Sequence, residues 1–213
     1  MQLPTPPPPG DDTAAWVAEH LGDLALEGPE GVRRGAHVGG QAAADAALAS
    51  LDVTGYARRR SVVLPQSGRG ASRMSPYVRH GLVPLPELWA AVADAPAQDR
   101  EKYRDELLWQ EYARHLYART GAALGRSLKH EQPRPGPGSD PWPEPWPEGM
   151  ACMDATTTEL EQGGWLVNQT RMWLASQWAV RAGADWRDGE DHFFRHLLDG
   201  SRAANRLGCP PFA

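Results

Sequence analysis

A stretch of the chain without acidic residues is the first feature whose residue types could do chemistry. Between Asp52 and Glu87 the only charged side chains are arginines: Arg58, Arg59, Arg60, Arg69, Arg73 and Arg79. Inside it, residues 67–76 (SGRGASRMSP) combine small residues with three serines just before a predicted helix. Hydroxyls and unpaired backbone N–H groups in that position can hold a phosphate. The motif contains no Walker lysine. Taken alone, it favours an alternative interpretation, a basic loop exposed to solvent.

Two further groupings pair polar side chains at helical spacing. Glu106 and Trp109 are three residues apart and share a helix face, where an acid beside a ring suits a flat, hydrogen-bonding ligand such as a base. Asn168 and Arg171 have the same spacing, and Asp199 is a candidate partner for the arginine fork. The alternatives are a core tryptophan with a solvated glutamate, and an ordinary structural ion pair.

Histidine and cysteine usage predicts no metal site. His192 and His196 have a metal-compatible spacing of four, but no catalytic glutamate lies between them, so surface or helix-end histidines are favoured. Cys152 and Cys209 lie far apart and form no CxxC pair. This argues against a disulfide scaffold or a cysteine-built zinc site and fits a reducing cytoplasm.

The elements that must position these groups read as helices. Helical patterns occupy residues 39–51, 85–95, 101–119, 154–162, 167–181 and 189–200, with the clearest amphipathic stripe in 101–119. Only residues 61–64 (SVVL) resemble a strand. The predicted fold class is therefore all-α.

Composition and proline placement set the predicted domain organisation. The chain has 213 residues, 41% of them apolar, and no apolar run approaches the roughly 20 residues of a membrane-spanning helix. Residues 1–35, which include a proline cluster, are predicted to be disordered or loosely helical. Residues 36–213 form one helical domain, interrupted by a proline-rich loop at 132–149. With a net charge of −5, nucleic-acid binding requires a local cationic patch.

Taken in order, four segments resemble motifs of the FAD-binding domain of the DNA photolyase and cryptochrome family. They are GASRMSPYVRHG (70–81), ELLWQEY (106–112), GWLVNQTRM (164–172) and DWRDGEDHFFRHLLDGSRAAN (185–205). The resemblance implies an all-helical domain that binds FAD. Family members carry an antenna domain before this region and further helices after it, so we expect a shortened form.

The resemblance also implies roles for individual residues. The phosphates of FAD are expected at Ser72, Met74 and Ser75, with Tyr56 upstream. Asn168 and the paired Arg171 and Asp199 are expected at the isoalloxazine and ribityl region, and Asn205 beside flavin N5. Catalytic, lesion-contacting roles are implied for Glu106, Trp109 and Met172, along with Asn205, and electron transfer for Trp186.

Three functions remain open at this stage. The first is a light-driven deoxyribodipyrimidine photolyase, in which reduced flavin donates an electron to a pyrimidine dimer flipped out of damaged DNA. The second is a flavin-binding or light-sensing module without catalysis, which acts through a partner protein or a homo-oligomer covering the open C-terminal side. The third is a helical scaffold without flavin. No membrane partner is expected, and the predicted location is cytoplasmic.

Overall fold

The computed structural model describes residues 4–8, 12–25, 27–126, 146–147 and 149–208. Contacts divide the chain into two compact units, Met1–His37 and Val38–Ala213. Most of the proline-rich loop lies outside the described residues, as does Cys209. The domain boundaries given above therefore stay a prediction.

The first unit contains one α-helix, α1 (Thr13–Leu21), and two short 3₁₀ turns within its described residues. The Asp12 carboxylate caps α1 by accepting hydrogen bonds from the N–H groups of Ala14 (3.0 Å) and Ala15 (3.3 Å). These N–H groups have no partner inside the helix, which is why an aspartate stabilises this position.

The second unit is built from helices. Its α-helices are α2 (Gln41–Ala49), α3 (Tyr56–Arg59), α4 (Ser75–Arg79), α5 (Leu85–Ala91), α6 (Ala97–Thr120), α7 (Ala151–Gly163), α8 (Asn168–Ser176), α9 (Trp186–His196) and α10 (Arg202–Gly208). Residues Gln177–Arg181 extend α8 as a π-helix. The described residues contain helices and no strand, which confirms the all-α prediction.

Two hydrophobic clusters hold this unit together. One joins α2, α4, α5 and the first half of α6, with Leu88 fully buried at its centre. The other joins α7, α8 and α9 around Leu160 and Leu174. At about 25 cal/mol per Å² of apolar surface removed from water, such clusters supply the main driving force for folding. They fix the helices whose ends carry the polar residues described below.

The strand prediction for residues 61–64 is wrong. These residues form a turn and an irregular segment that leads into a 3₁₀ turn at Gln66–Gly68. The carbonyl of Val63 accepts a hydrogen bond from Arg69 Nε (2.9 Å) instead of a ladder partner. A run of β-branched residues cannot become a strand without a neighbour to pair with.

The predicted helices are present, with shifted ends. The last one begins at Trp186, earlier than predicted, because the Asp185 carboxylate accepts the N–H of Arg187 (2.9 Å) and caps it. It ends at His196 rather than at Gly200, because the Leu198 N–H donates to the Gly164 carbonyl (2.8 Å). None of the helices in the described part of the chain is both long and apolar enough to span a membrane.

Candidate functional site

Two adjoining cavities lie in the second unit, between α3, α4, α6, α8 and the segment before α10. Their volumes are about 210 Å³ and about 680 Å³. They share the residues Ser75, Glu106, Asn168, Arg171 and Asp199, so they form one continuous site. The larger volume is within the range of small-molecule sites, about 300–1,000 Å³.

The loop before α4 forms one wall of the smaller cavity. Its Arg73 has φ 56°, a left-handed conformation that is uncommon for a non-glycine residue. Gly70 packs against Arg59, where an added Cβ would meet the Arg59 Cβ at 2.7 Å and its backbone carbon at 3.1 Å. The loop therefore requires glycine at this position, and its backbone is held close to the end of α3.

Hydroxyl groups of this loop are held by neighbouring aromatic side chains. Ser72 Oγ accepts hydrogen bonds from the Tyr103 hydroxyl (3.3 Å) and the Met74 N–H (3.5 Å). Ser75 Oγ accepts one from Trp165 Nε1 (3.1 Å). Because each acceptor is already oriented, the hydroxyl protons of both serines can be directed at a ligand in the cavity.

The short helix α3 is held in place by an aspartate from α6. Asp99 accepts hydrogen bonds from the N–H groups of Gly55 (2.8 Å) and Ala57 (2.9 Å), and these bonds lower the pKa of its carboxyl. They position Tyr56 on the cavity wall, edge-on to Tyr103 with ring centres 5.0 Å apart. Burial raises the pKa of the Tyr56 phenol, which therefore stays protonated and able to donate.

An ion pair with a buried carboxylate lines both cavities. Arg171 Nη2 donates to both carboxylate oxygens of Asp199, at 3.0 and 2.8 Å, and its Nε donates to the Leu166 carbonyl (3.1 Å). The Asp199 side chain is 5% exposed. Arg79 fixes the same turn by donating to the Gly200 carbonyl (2.6 Å). The contact with Leu166 holds Arg171, and the contact with Gly200 holds the turn that carries Asp199, so the pair keeps one orientation.

Glu106 lies where the two cavities meet and is paired with two cations. Its Oε1 is 3.3 Å from Arg60 Nε and 3.0 Å from Lys102 Nζ. One turn further along α6, Trp109 lines the larger cavity with 63% of its surface exposed, and Arg114 lines it too. The site therefore has the local cationic surroundings that the acidic chain as a whole lacks.

The structure brings most of the sequence-predicted site residues together. The residues that line at least one of the two cavities are Tyr56, Ser72, Ser75, Glu106, Trp109, Asn168, Arg171 and Asp199. Their roles toward a ligand stay predictions, but their common location is a property of the fold.

Four predicted residues lie elsewhere. The side chain of Met74 is 2% exposed in the first hydrophobic cluster, and its backbone N–H donates to Ser72 Oγ. Met172 is exposed on α8 outside the lining of both cavities. Trp186 is buried in the second cluster, with the Arg187 guanidinium 4.7 Å above its ring. Asn205 follows the lining residue Ala204, and its Nδ2 is buried with no hydrogen-bond partner among the described residues.

Other residues of the site were not singled out from the sequence. Arg60 belongs to the basic stretch, and Lys102 lies four residues before Glu106 on α6, a spacing that favours an ion pair. That spacing could have identified Lys102. Nothing local could have identified Arg60, which is 46 residues from its partner.

A family model described as the FAD binding domain of DNA photolyase matches residues 103–212. The chain belongs to this family. The matched range includes every cavity-lining residue from Glu106 onward, and the match supports FAD as the cofactor. It also accounts for the order of the motifs after residue 103.

Curated relatives of this photolyase-family domain include two bacterial proteins named deoxyribodipyrimidine photo-lyase. The one from Synechococcus is 31% identical over an alignment of 151 residues that covers 65% of this chain and 31% of the relative. The one from Escherichia coli is 33% identical over an alignment of 154 residues that covers 65% of this chain and 32% of the relative. The chain therefore spans about a third of the length of these relatives.

Solved structures with the same fold include a cryptochrome and a photolyase. A Synechocystis cryptochrome superposes with a TM-score of 0.71 at 22% identity, covering 84% of this chain and 41% of that one. A class III photolyase from Agrobacterium tumefaciens gives a TM-score of 0.65 at 21% identity, covering 80% and 37%. At these identities the likeness establishes the fold alone.

Proposed function

We propose that this chain binds FAD in the two joined cavities and works as the flavin-binding part of a light-driven deoxyribodipyrimidine photolyase. The observation that carries the proposal is the meeting of the oriented Ser72 and Ser75 hydroxyls with the Arg171–Asp199 pair around one cavity. A ligand that carries both phosphate oxygens and a flat, polar ring system would match these groups.

The donor and acceptor set fits FAD. Basic residues and backbone groups of the loop before α4 suit the pyrophosphate, since Arg60 and Arg73 line the cavity beside the serines. The buried, unpartnered amide of Asn205 is an orphaned polar group that a buried heteroatom of the cofactor would satisfy. Asn168 adds a side chain that both donates and accepts on the same wall as Arg171.

In this proposal the residues of the chain position and neutralise groups. Arg171 holds Asp199 so that its carboxylate keeps one orientation toward the ring system. Tyr56, Ser72 and Ser75 donate to phosphate oxygens. When bound and reduced, FAD supplies the light-driven transfer of one electron to the lesion.

Lesion recognition is assigned to the larger cavity. Glu106 and Trp109 lie on its lining, and Trp109 presents an exposed ring on which an extruded base could stack. Arg79 and Arg114 line the same cavity and suit the phosphates of a DNA strand. Both cations contact Glu106 through Oε1, so Oε2 is the oxygen that would accept a hydrogen bond from a base.

The first experiment is the absorbance spectrum of the purified protein, before and after incubation with FAD. We expect a flavin spectrum and one bound flavin per chain, which Arg171→Met reduces and Arg119→Met leaves unchanged. Arg119 is an exposed arginine at the end of α6, away from the cavities. If the protein cannot take up FAD, the proposal is wrong and the hypothesis that remains is a helical scaffold without flavin.

Repair is tested separately, by light-dependent loss of thymine dimers from a damaged oligonucleotide. We expect loss in the flavin-loaded protein under light, none in the dark, and a strong reduction in Glu106→Ala. Glu101→Ala is the matched control, because Glu101 is an exposed glutamate on the same helix. Bound and photoreducible flavin without any repair would contradict the photolyase assignment.

A flavin-binding module that acts through a partner protein is the second candidate. It is favoured by the exposed apolar residues on α6 beside the cavity, Leu108, Trp109 and Tyr112, which are 55%, 63% and 54% exposed. It is also favoured by the ion pairs of Glu106 with Arg60 and Lys102, which already neutralise its charge within the chain. Retained flavin, absent repair and a light-dependent change in association state would select this candidate.

A further inference from the structure

A second cluster of reactive side chains lies on α7 and α9, outside the two cavities. Glu161 on α7 faces His192 and His196 on α9, and one potential ligand atom from each lies within 4.8 Å of the others. His192 Nε2 is 3.6 Å from Glu161 Oε1, and the two imidazole ring centres are 4.5 Å apart. None of the three residues lines either cavity of the candidate site.

His192 has a ring nitrogen that is available to a metal ion. Its Nε2 is buried and finds no hydrogen-bond partner in the described part of the chain. A neutral imidazole offers the lone pair of one ring nitrogen to a metal, and this nitrogen faces the Glu161 carboxylate at 3.6 Å.

The indole rings of two tryptophans lie beside His192. The rings of Trp146 and Trp178 lie 5.8 Å and 5.7 Å from its ring centre. Such a wall limits solvent access and leaves the nitrogen facing Glu161 and His196 as the polar side of the group. A buried polar atom without a partner destabilises the folded state, and a bound cation would satisfy it.

We propose that Glu161, His192 and His196 bind one divalent transition-metal ion of the Zn²⁺ type. Two imidazole nitrogens and one carboxylate oxygen are a ligand set that zinc accepts, with water in the fourth position. With metal–ligand distances of about 2.1 Å and tetrahedral angles, ligand atoms lie about 3.4 Å apart, so the side chains need to close by up to about 1.4 Å. The ion would clamp α7 to α9 and so stiffen the second hydrophobic cluster.

The site is tested by calorimetric titration of the untagged full chain with Zn²⁺ in a non-chelating buffer. We expect one Zn²⁺ per chain. His196→Ala should weaken binding by about 100-fold and Glu161→Gln by about 10-fold, since losing even an outer partner of a metal site costs about 10–100-fold. His115→Ala and Cys152→Ser are the controls, because both side chains are exposed and neither belongs to the cluster: His115 is on α6, and Cys152 is at the start of α7, nine residues before Glu161.

Two further readouts separate binding from folding. Zn²⁺ should raise the melting temperature of the wild type and not that of His196→Ala, whose melting temperature in EDTA should equal that of the wild type in EDTA. Cu²⁺, which quenches nearby indoles, should lower the tryptophan fluorescence of the wild type in a saturable manner. The proposal is overturned if the wild type shows no saturable binding, if His196→Ala binds within threefold of the wild type, or if Cys152→Ser abolishes binding.

Discussion

Replacing Arg171 by methionine tests the buried ion pair at the candidate flavin site. Methionine keeps an unbranched apolar stem but removes the charge, the two hydrogen bonds to Asp199 at 3.0 and 2.8 Å, and the one to the Leu166 carbonyl. The Asp199 side chain is 5% exposed, so its carboxylate would be left buried without its cation. Arg171 itself is 24% exposed, which lets water compensate for part of the loss.

The expected magnitude follows from this burial. Breaking a buried pair by removing one partner costs about 3–5 kcal/mol, and the partial exposure of Arg171 places the loss near the lower end, about 3 kcal/mol. For a unit of this size that corresponds to a fall in melting temperature of roughly 6–12 °C. Arg114→Met is the control, because Arg114 is 3.9 Å from Glu111 in an exposed pair. An exposed pair of this kind contributes about 0–1 kcal/mol.

The assay is urea unfolding followed by circular dichroism, with all variants at the same flavin content. The double variant Arg171→Met/Asp199→Leu should recover more than half of the loss, because neither charge is then buried alone. A single variant that loses less than about 1 kcal/mol, or a double variant no more stable than the single one, would refute the argument that an unpaired buried carboxylate dominates.

Three other substitutions test the walls of the site. Asp99→Asn should lower stability mainly above pH 3.8, the ordinary pKa of an aspartate carboxyl. The hydrogen bonds to Asp99 lower its pKa in the folded state, so its stabilisation is complete above pH 3.8 and is lost as the pH falls through the folded-state pKa. Urea midpoints measured against pH would show this difference. Gly164→Ala should lower the melting temperature, because φ is +66° and the added Cβ would lie 2.9 Å from a Leu198 side-chain carbon, whereas Gly163→Ala meets nothing within 4 Å and should not. Ser75→Ala should weaken FAD binding about fivefold, for the loss of one hydrogen bond worth about 1 kcal/mol, as measured by flavin fluorescence titration; unchanged affinity would place the phosphates elsewhere.

Local patterns were sufficient for the helices and for the family. The amphipathic stripe of 101–119 lies within α6, Ala97–Thr120, because a 3.6-residue period must bury one face wherever the helix packs. Local pattern was not sufficient for the strand predicted at 61–64. A strand depends on a partner segment to pair with, and β-branched residues alone do not provide one.

The candidate site was predicted in part. Motif order placed Ser72, Asn168 and Asp199 in one site, and the structure puts all three on one cavity. The side chain of Met74 could not be placed in the same way. It follows Arg73, whose left-handed backbone turns the loop, and it enters the hydrophobic core instead of the cavity. The direction of a side chain after such a turn depends on the tertiary structure that stabilises the turn.

The sequence by itself determined the helical class, the motifs of a photolyase-type domain and the need for a local cationic patch, because periodicity, residue type and spacing are local properties. Only the tertiary structure decided which distant residues meet. It placed Arg60 against Glu106, and it placed Glu161 beside His192 and His196. Spacing along α9 could pair the two histidines, but their third neighbour comes from another helix, and the packing of the second hydrophobic cluster sets that distance. Long-range contacts of this kind follow from how helices pack, which the local sequence pattern does not contain.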